Sequence, residues 1–119
     1  MDNKEFSKEL ENRTRRFAIQ IIQLSASIPY TIESKVIKNQ LTKSGTSIGA
    51  NYREANRARS KADFSSRIGI CESEASETVY WLELTEESDW IPFINIELIL
   101  KEANELLSIF STIGKTLKQ

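Results

Sequence analysis

The chain contains no histidine and a single cysteine, Cys71. Without an imidazole that titrates near neutral pH, histidine-dependent catalytic triads, zinc fingers and histidine-containing carboxylate metal sites are excluded. A lone cysteine cannot close an internal disulfide. None is needed, because a helical chain of 119 residues buries roughly two thirds of its unfolded surface. Prolines are only two, Pro29 and Pro92, and glycines only four. Long apolar runs are missing as well: the richest stretch, 17–24, is interrupted by Gln20 and Gln23 and falls far short of the ~20 residues of a membrane span. The first ten residues mix charge and polarity with no apolar signal core, so the expected location is the cytoplasm, with no membrane partner.

What is present fits one domain over residues 1–119, with 39% hydrophobic and 28% charged content. The net charge of −1 excludes a polycation that coats nucleic acid indiscriminately. That average hides a segregation. Residues 35–67 hold eight bases against two acids, net +6, whereas residues 72–105 hold ten acids against one base, net −9.

Four stretches carry a helical repeat, and the breakers fall between them. Phe6, Leu10, Phe17, Ile21 and Leu24 lie on one stripe of a first helix, about 3–27, which Pro29 terminates. Thr31 reads as the N-cap of a second helix, about 32–58, with Glu33 in its first turn. Its stripe is Ile37, Leu41, Ser44, Ile48, Asn51 and Ala55, apolar at first and then small and polar. Ser60 and Asp63 cap a third helix, about 61–87, whose inner stripe is Phe64, Ile68, Cys71, Ala75, Thr78 and Leu82. After a corner at Pro92, a fourth helix of about 93–117 repeats Ile96, Leu100, Ala103, Leu107 and Phe110. No strand-like alternation competes. The fold class is all-α, an antiparallel up-down-up-down four-helix bundle. Ile19, Ile22, Tyr52 and Trp81 are expected to widen the apolar surface beyond the seam, which points to burial by another subunit.

The middle of the chain departs from a plain bundle. Gly45 and Gly49, four apart, let a neighbouring backbone come close. Ser44, Ser47, Asn51 and Glu54 fall on one strip, and if that strip faces inward each polar group needs a partner. With Glu77 from the third helix they form an expected structural polar network, for which the first helix offers Arg13, Thr14 and Arg16. The alternative for the same strip is a ligand site.

These residues also carry a resemblance. Ser47-Ile48, Asn51, Glu54-Ala55, Ser60 and Asp63-Phe64, followed by Glu74-Ala75-Ser76-Glu77-Thr78 and Tyr80-Trp81-Leu82-Glu83-Leu84, resemble the four-helix-bundle proteins of the 23S rRNA intervening-sequence family. The resemblance implies a small bacterial cytoplasmic protein, encoded in some members within insertions of large-subunit ribosomal RNA genes. It extends to the accessory variability proteins of diversity-generating retroelements, which form pentameric barrels and associate with nucleic acid and a reverse transcriptase. A homopentamer with a basic surface for RNA or DNA is therefore implied. Family members commonly show Asn-x-x-Glu-Gly where this chain has Ala55 after Glu54. Alanine favours the helix, so the second helix is expected to continue to about residue 58.

Two function classes follow. In the first, Arg53, Arg57 and Lys61, with Arg59 and Arg67 nearby, neutralise phosphates along a line; no aromatic code for bases accompanies them, so binding is backbone-directed. The competing reading of the same charges is a solvated face, or one neutralised by an adjacent subunit's acidic helix. In the second class the chain is a scaffold ring with a protein partner and no nucleic acid. Enzyme chemistry ranks below both: Glu54, Glu74 and Glu77 lack the histidines of a di-iron bundle, and Lys43-Ser44-Gly45-Thr46 lacks the order and preceding strand of a phosphate loop. No catalytic residue, metal site or cofactor is assigned. Cys71 is read as a core residue, and Trp81 and Trp90 as packing or interface anchors.

Overall fold

The computed structural model describes residues 1–118, leaving aside the side chains at positions 93 and 94. Helices α1 (Asn3–Ser27), α2 (Ile32–Ala55), α3 (Lys61–Glu87) and α4 (Phe93–Leu117) account for nearly all of it, and no strand occurs among the described residues. Local chemistry sets the ends. The Asp2 carboxylate accepts from the Glu5 amide at 2.8 Å to open α1, and the chain turns extended at Ile28, before Pro29. Lys38 Nζ donates to the Ile28 carbonyl at 2.7 Å, a cation at the negative end of α1. Thr31 and Ser34 form a reciprocal capping box for α2, at 2.9 and 2.7 Å. Ser60 Oγ accepts from the Asp63 amide at 3.0 Å to open α3.

Each helix packs against its sequence neighbours, and α4 closes back on α1; across the diagonals the described backbones stay apart and only side chains such as Tyr52 and Phe110 meet. The short connections and this pairing give the up-down-up-down bundle, a rod of 44 × 26 × 21 Å. The α1–α4 seam is the thinnest of the four. Arg13 spans it, donating through Nε and Nη2 to the two Glu102 oxygens at 2.7 and 2.6 Å. Among the described residues no helix is long and apolar enough to cross a membrane.

Every helix contributes fully buried side chains, among them Phe17 and Ile21 from α1, Leu41 and Ile48 from α2, Ile68 and Leu82 from α3, and Leu106 and Phe110 from α4. Burying each is worth roughly 1.5–3 kcal/mol. The α1–α2 packing is close because α2 presents glycine. A Cβ on Gly45 would lie 2.7 Å from Ile21 Cγ2, and one on Gly49 would lie 3.0 Å from Thr14 Oγ1.

Three expectations change. Tyr52 is core, only 2% exposed, with its ring edge-on to Phe110 at 5.5 Å. The buried face of α2 is thus Leu41, Ile48, Tyr52 and Ala55, and the small Ser44 and Gly45 set its register. Phe6 is 42% exposed at the start of α1, where α1 has little left to pack against. Finally, α2 stops at Ala55 instead of continuing to residue 58. The Arg57 and Ala58 amides donate to Glu54 and Ala55 carbonyls at 3.0 Å, closing tight three-residue turns, and Asn56 Nδ2 reaches across to Glu11 Oε2 at 2.8 Å. A good helix former at 55 does not prevail over that tertiary bond.

Candidate nucleic-acid interface

The corner between α2 and α3 projects from one end of the rod. Glu11 of α1 fixes its root, accepting from Asn56 Nδ2 and lying 3.9 Å from Arg53 Nε. Arg53 is more than half exposed, so this contact holds the guanidinium loosely and leaves its outer edge to solvent. Beyond it, Arg57 and Arg59 stand exposed on the five-residue connection, and Lys61 stands exposed at the first position of α3. Among the described residues, none of these three has a carboxylate within ion-pairing distance. Arg67 differs: one turn after Asp63 on α3, its Nε lies 3.4 Å from Asp63 Oδ1, buried and without an aligned hydrogen bond. The structure therefore brings Arg53, Arg57, Arg59 and Lys61 to one corner, and holds Arg67 beside them against its own helix.

Antiparallel topology adds bases that the sequence places far away. The start of α1 and the end of α4 share this end of the rod. A shallow groove of about 350 Å³ is lined by Lys4, Ser7, Lys8, Glu11 and Asn56, so Lys4 and Lys8 border the corner. Glu5 and Glu9 share that helix start and temper the field. The signal for Lys4 and Lys8 is in the topology alone: odd helices begin where even helices end. Of the basic run at 35–67, Lys35, Lys38 and Lys43 lie away from the corner, on the first half of α2.

The polar strip does not assemble into a network among the described residues. Ser44 is the member that bonds another helix: its hydroxyl lies 3.0 Å from that of buried Thr78, which also donates to the Glu74 carbonyl at 2.7 Å. Ser47 Oγ donates to the Lys43 carbonyl at 2.6 Å, and Asn51 Nδ2 to the Ser47 carbonyl at 2.9 Å, both within α2. Glu54 is exposed, and Glu77 accepts from Trp81 Nε1 at 3.1 Å within α3. Arg13 faces α4 and Thr14 bonds the Leu10 carbonyl, so neither meets the strip. The reason is rotation: with Tyr52 in the core, Ser47 and Asn51 turn toward the outer α2–α3 edge, while Glu54 borders an open groove between α1 and α2 beside Glu11, Thr14 and Arg15.

Two titratable groups on α3 shift. Burial pushes the Cys71 thiol up to about 12, while its Sγ sits 3.6 Å from the Ile48 carbonyl. Such a thiol is protonated and inert at neutral pH. Partial burial, then the charge of Glu77, raises the Glu74 carboxyl, and Lys43 opposes the shift. Among the described residues no three acidic or thiol side chains converge as a metal-ligand set.

The sequence profile of the 23S rRNA-intervening sequence protein family matches residues 8–112, a span that contains the corner and the polar strip. The chain belongs to that family. A crystal structure at 1.70 Å of a protein with unknown function from the S23 ribosomal protein family, from Bacteroides thetaiotaomicron VPI-5482, is similar at 36% identity with a TM-score of 0.81. The match covers 88% of this chain and 97% of that one, so the bundle is shared nearly end to end. No curated protein matches the chain. Membership in the 23S rRNA-intervening sequence family thus fixes the architecture, and the corner's own chemistry must supply a function.

Proposed function

We propose that this 23S rRNA-intervening sequence family member is a non-enzymatic cytoplasmic bundle that binds the backbone of RNA or DNA through Arg53, Arg57, Arg59 and Lys61, with Arg67 as a flanking charge. The observation that carries the reading is the exposure of Arg57, Arg59 and Lys61 on one corner without ion pairs among the described residues. Cations left unpaired by their own chain are available to displace counterions from phosphates. No exposed aromatic ring occurs among residues 53–61, so base stacking adds little and sequence preference is weak. The family's name, with its link to ribosomal RNA insertions, makes RNA the first ligand to test.

In this reading the bundle works as a homo-oligomer, with a pentamer favoured by the family resemblance, so several corners meet one polymer. The competing scaffold reading, with a protein partner and no nucleic acid, is favoured by the acidic outer surface of α3, where Glu72, Glu77 and Glu83 also lack ion pairs among the described residues. Filter binding of mixed-sequence RNA across a salt series separates the two. Retention that falls steeply with salt supports the corner, and no retention even at low salt leaves the scaffold.

A further inference from the structure

We infer that the trough between α1 and α2 receives one unpaired guanine of the bound strand, whose Watson–Crick edge meets Glu54 and whose O6 and N7 meet Arg15. The inference rests on the nucleic-acid reading of the corner and adds to it a site that selects a base.

The trough, of about 390 Å³, opens beside the corner: Arg53 and Glu54 of α2 and Glu11 of α1 line its near end. Its floor is made of the small residues Ala18, Gly49 and Ala50, and Gly49 lets α2 come close to Thr14. A flat ring can lie on such a floor, whereas a duplex is far too broad for a groove between helices packed about 8–10 Å apart. The charged groups around it differ in their freedom. Glu11 already accepts from Asn56 and lies 3.9 Å from Arg53, so its carboxylate is engaged. Glu54 and Arg15 are exposed, and among the described residues neither has an ion-pair partner. One pair of acceptors and one fork of donors are thus left on a common space.

Their placement follows from the packing register. Gly49 faces Thr14, and α1 and α2 run antiparallel. Glu54 lies five residues from Gly49 toward the corner, and Arg15 one residue from Thr14 away from it, so six residue rises, about 9 Å, separate them along the axis. Each helical side chain leans toward the N-terminus of its own helix, which tilts Arg15 toward the corner and Glu54 away from it. The two therefore lean toward each other from opposite walls, across a gap that one base fills.

Chemistry selects the base. The Watson–Crick edge of guanine carries two adjacent N–H donors, which match both oxygens of a carboxylate, and its O6 and N7 accept from an arginine fork. Adenine and cytosine turn a ring-nitrogen acceptor toward the carboxylate beside a single amino donor, and uracil flanks its one N–H with two carbonyls. Neither arrangement satisfies Glu54. The phosphates flanking the guanine stay with Arg53 and the corner, so the backbone contact is kept.

The test is fluorescence anisotropy on the full chain at fixed salt, with short oligouridylates carrying one central guanosine, adenosine or inosine. Wild type is expected to hold the guanosine strand about tenfold more tightly than the adenosine strand, with inosine, which lacks the exocyclic amine, in between. Glu54→Gln, and Ala50→Leu, which fills the floor from an exposed position, should each erase the difference with unchanged circular dichroism. Equal wild-type affinities for the guanosine and adenosine strands, or a preference that survives either variant, overturn the trough site while salt-dependent binding keeps the corner. Guanosine monophosphate that binds as tightly as the guanosine strand assigns the trough to a free nucleotide and overturns the role of the strand. No binding of any strand at low salt overturns the nucleic-acid reading and the inference together.

Discussion

Ser44 and Thr78 show how a polar residue earns a place inside this bundle: two hydroxyls from facing helices lie 3.0 Å apart with no exposure to water. Thr78→Val keeps the volume and removes the cross-helix partner, so chemical denaturation should show a loss of about 1–2 kcal/mol. Asn51→Leu is expected to cost less, because the amide bonds only its own helix and sits at the half-buried edge. Equal losses, or a larger loss for Asn51, would contradict that ranking. Gly45→Ala gains helix propensity but drives a methyl against Ile21, and overpacking prevails, for a net loss of about 1–2 kcal/mol by the same measurement. Cys71 gives a pH signature. Because the folded thiol sits near 12 against an ordinary value of 9.0, the unfolded chain releases its proton first, and stability falls as pH rises above 9. Urea melts of wild type and Cys71→Ala between pH 8 and 10 should show a steeper decline for wild type, and a thiol reagent should leave the native protein unmodified.

At the level of elements, α1 and α4 were legible because the proline breaks coincide with strong apolar stripes, and α3 because the Ser60 cap and the corner at Pro92 bound it. The Thr31 and Ser60 caps could be read directly from residue type and position. The second half of α2 was not legible. Ser44, Gly45, Ser47 and Gly49 carry too little apolar contrast to fix rotation, so Asn51 and Tyr52 compete for the inward position and only the packing against Phe110 settles it. The end of α2 was hidden for a related reason, since the Asn56 bond to Glu11 joins residues 45 positions apart. The thin α1–α4 seam also escapes a sequence reading, as does its clamp. Glu102→Gln removes the charge opposite Arg13, whose guanidinium is raised mainly by that hydrogen bond, and should cost up to about 1 kcal/mol at low salt. A melting difference from wild type that does not shrink in high salt would show that the clamp acts through packing alone.

For the whole molecule, alternating helix direction converts a linear charge pattern into a spatial one. The basic corner and the lysines at both chain ends gather at one end of the rod, while Glu86, Glu87 and Asp89 mark the other. The four corner residues Arg53, Arg57, Arg59 and Lys61 were legible as a basic run, but Lys4 and Lys8 were not, because only the fold carries them there. Replacing Arg57, Arg59 and Lys61 together by glutamine touches no ion pair among the described residues, so the bundle should melt as wild type does while the field at the corner weakens. The decisive measurement is the salt dependence of single-stranded RNA binding by wild type and by this triple variant. Loss of three phosphate contacts should flatten the slope of log affinity against log salt by about 2 and lower affinity across RNA sequences alike. The same slope and affinity for both proteins would contradict the assignment of nucleic-acid binding to the α2–α3 corner.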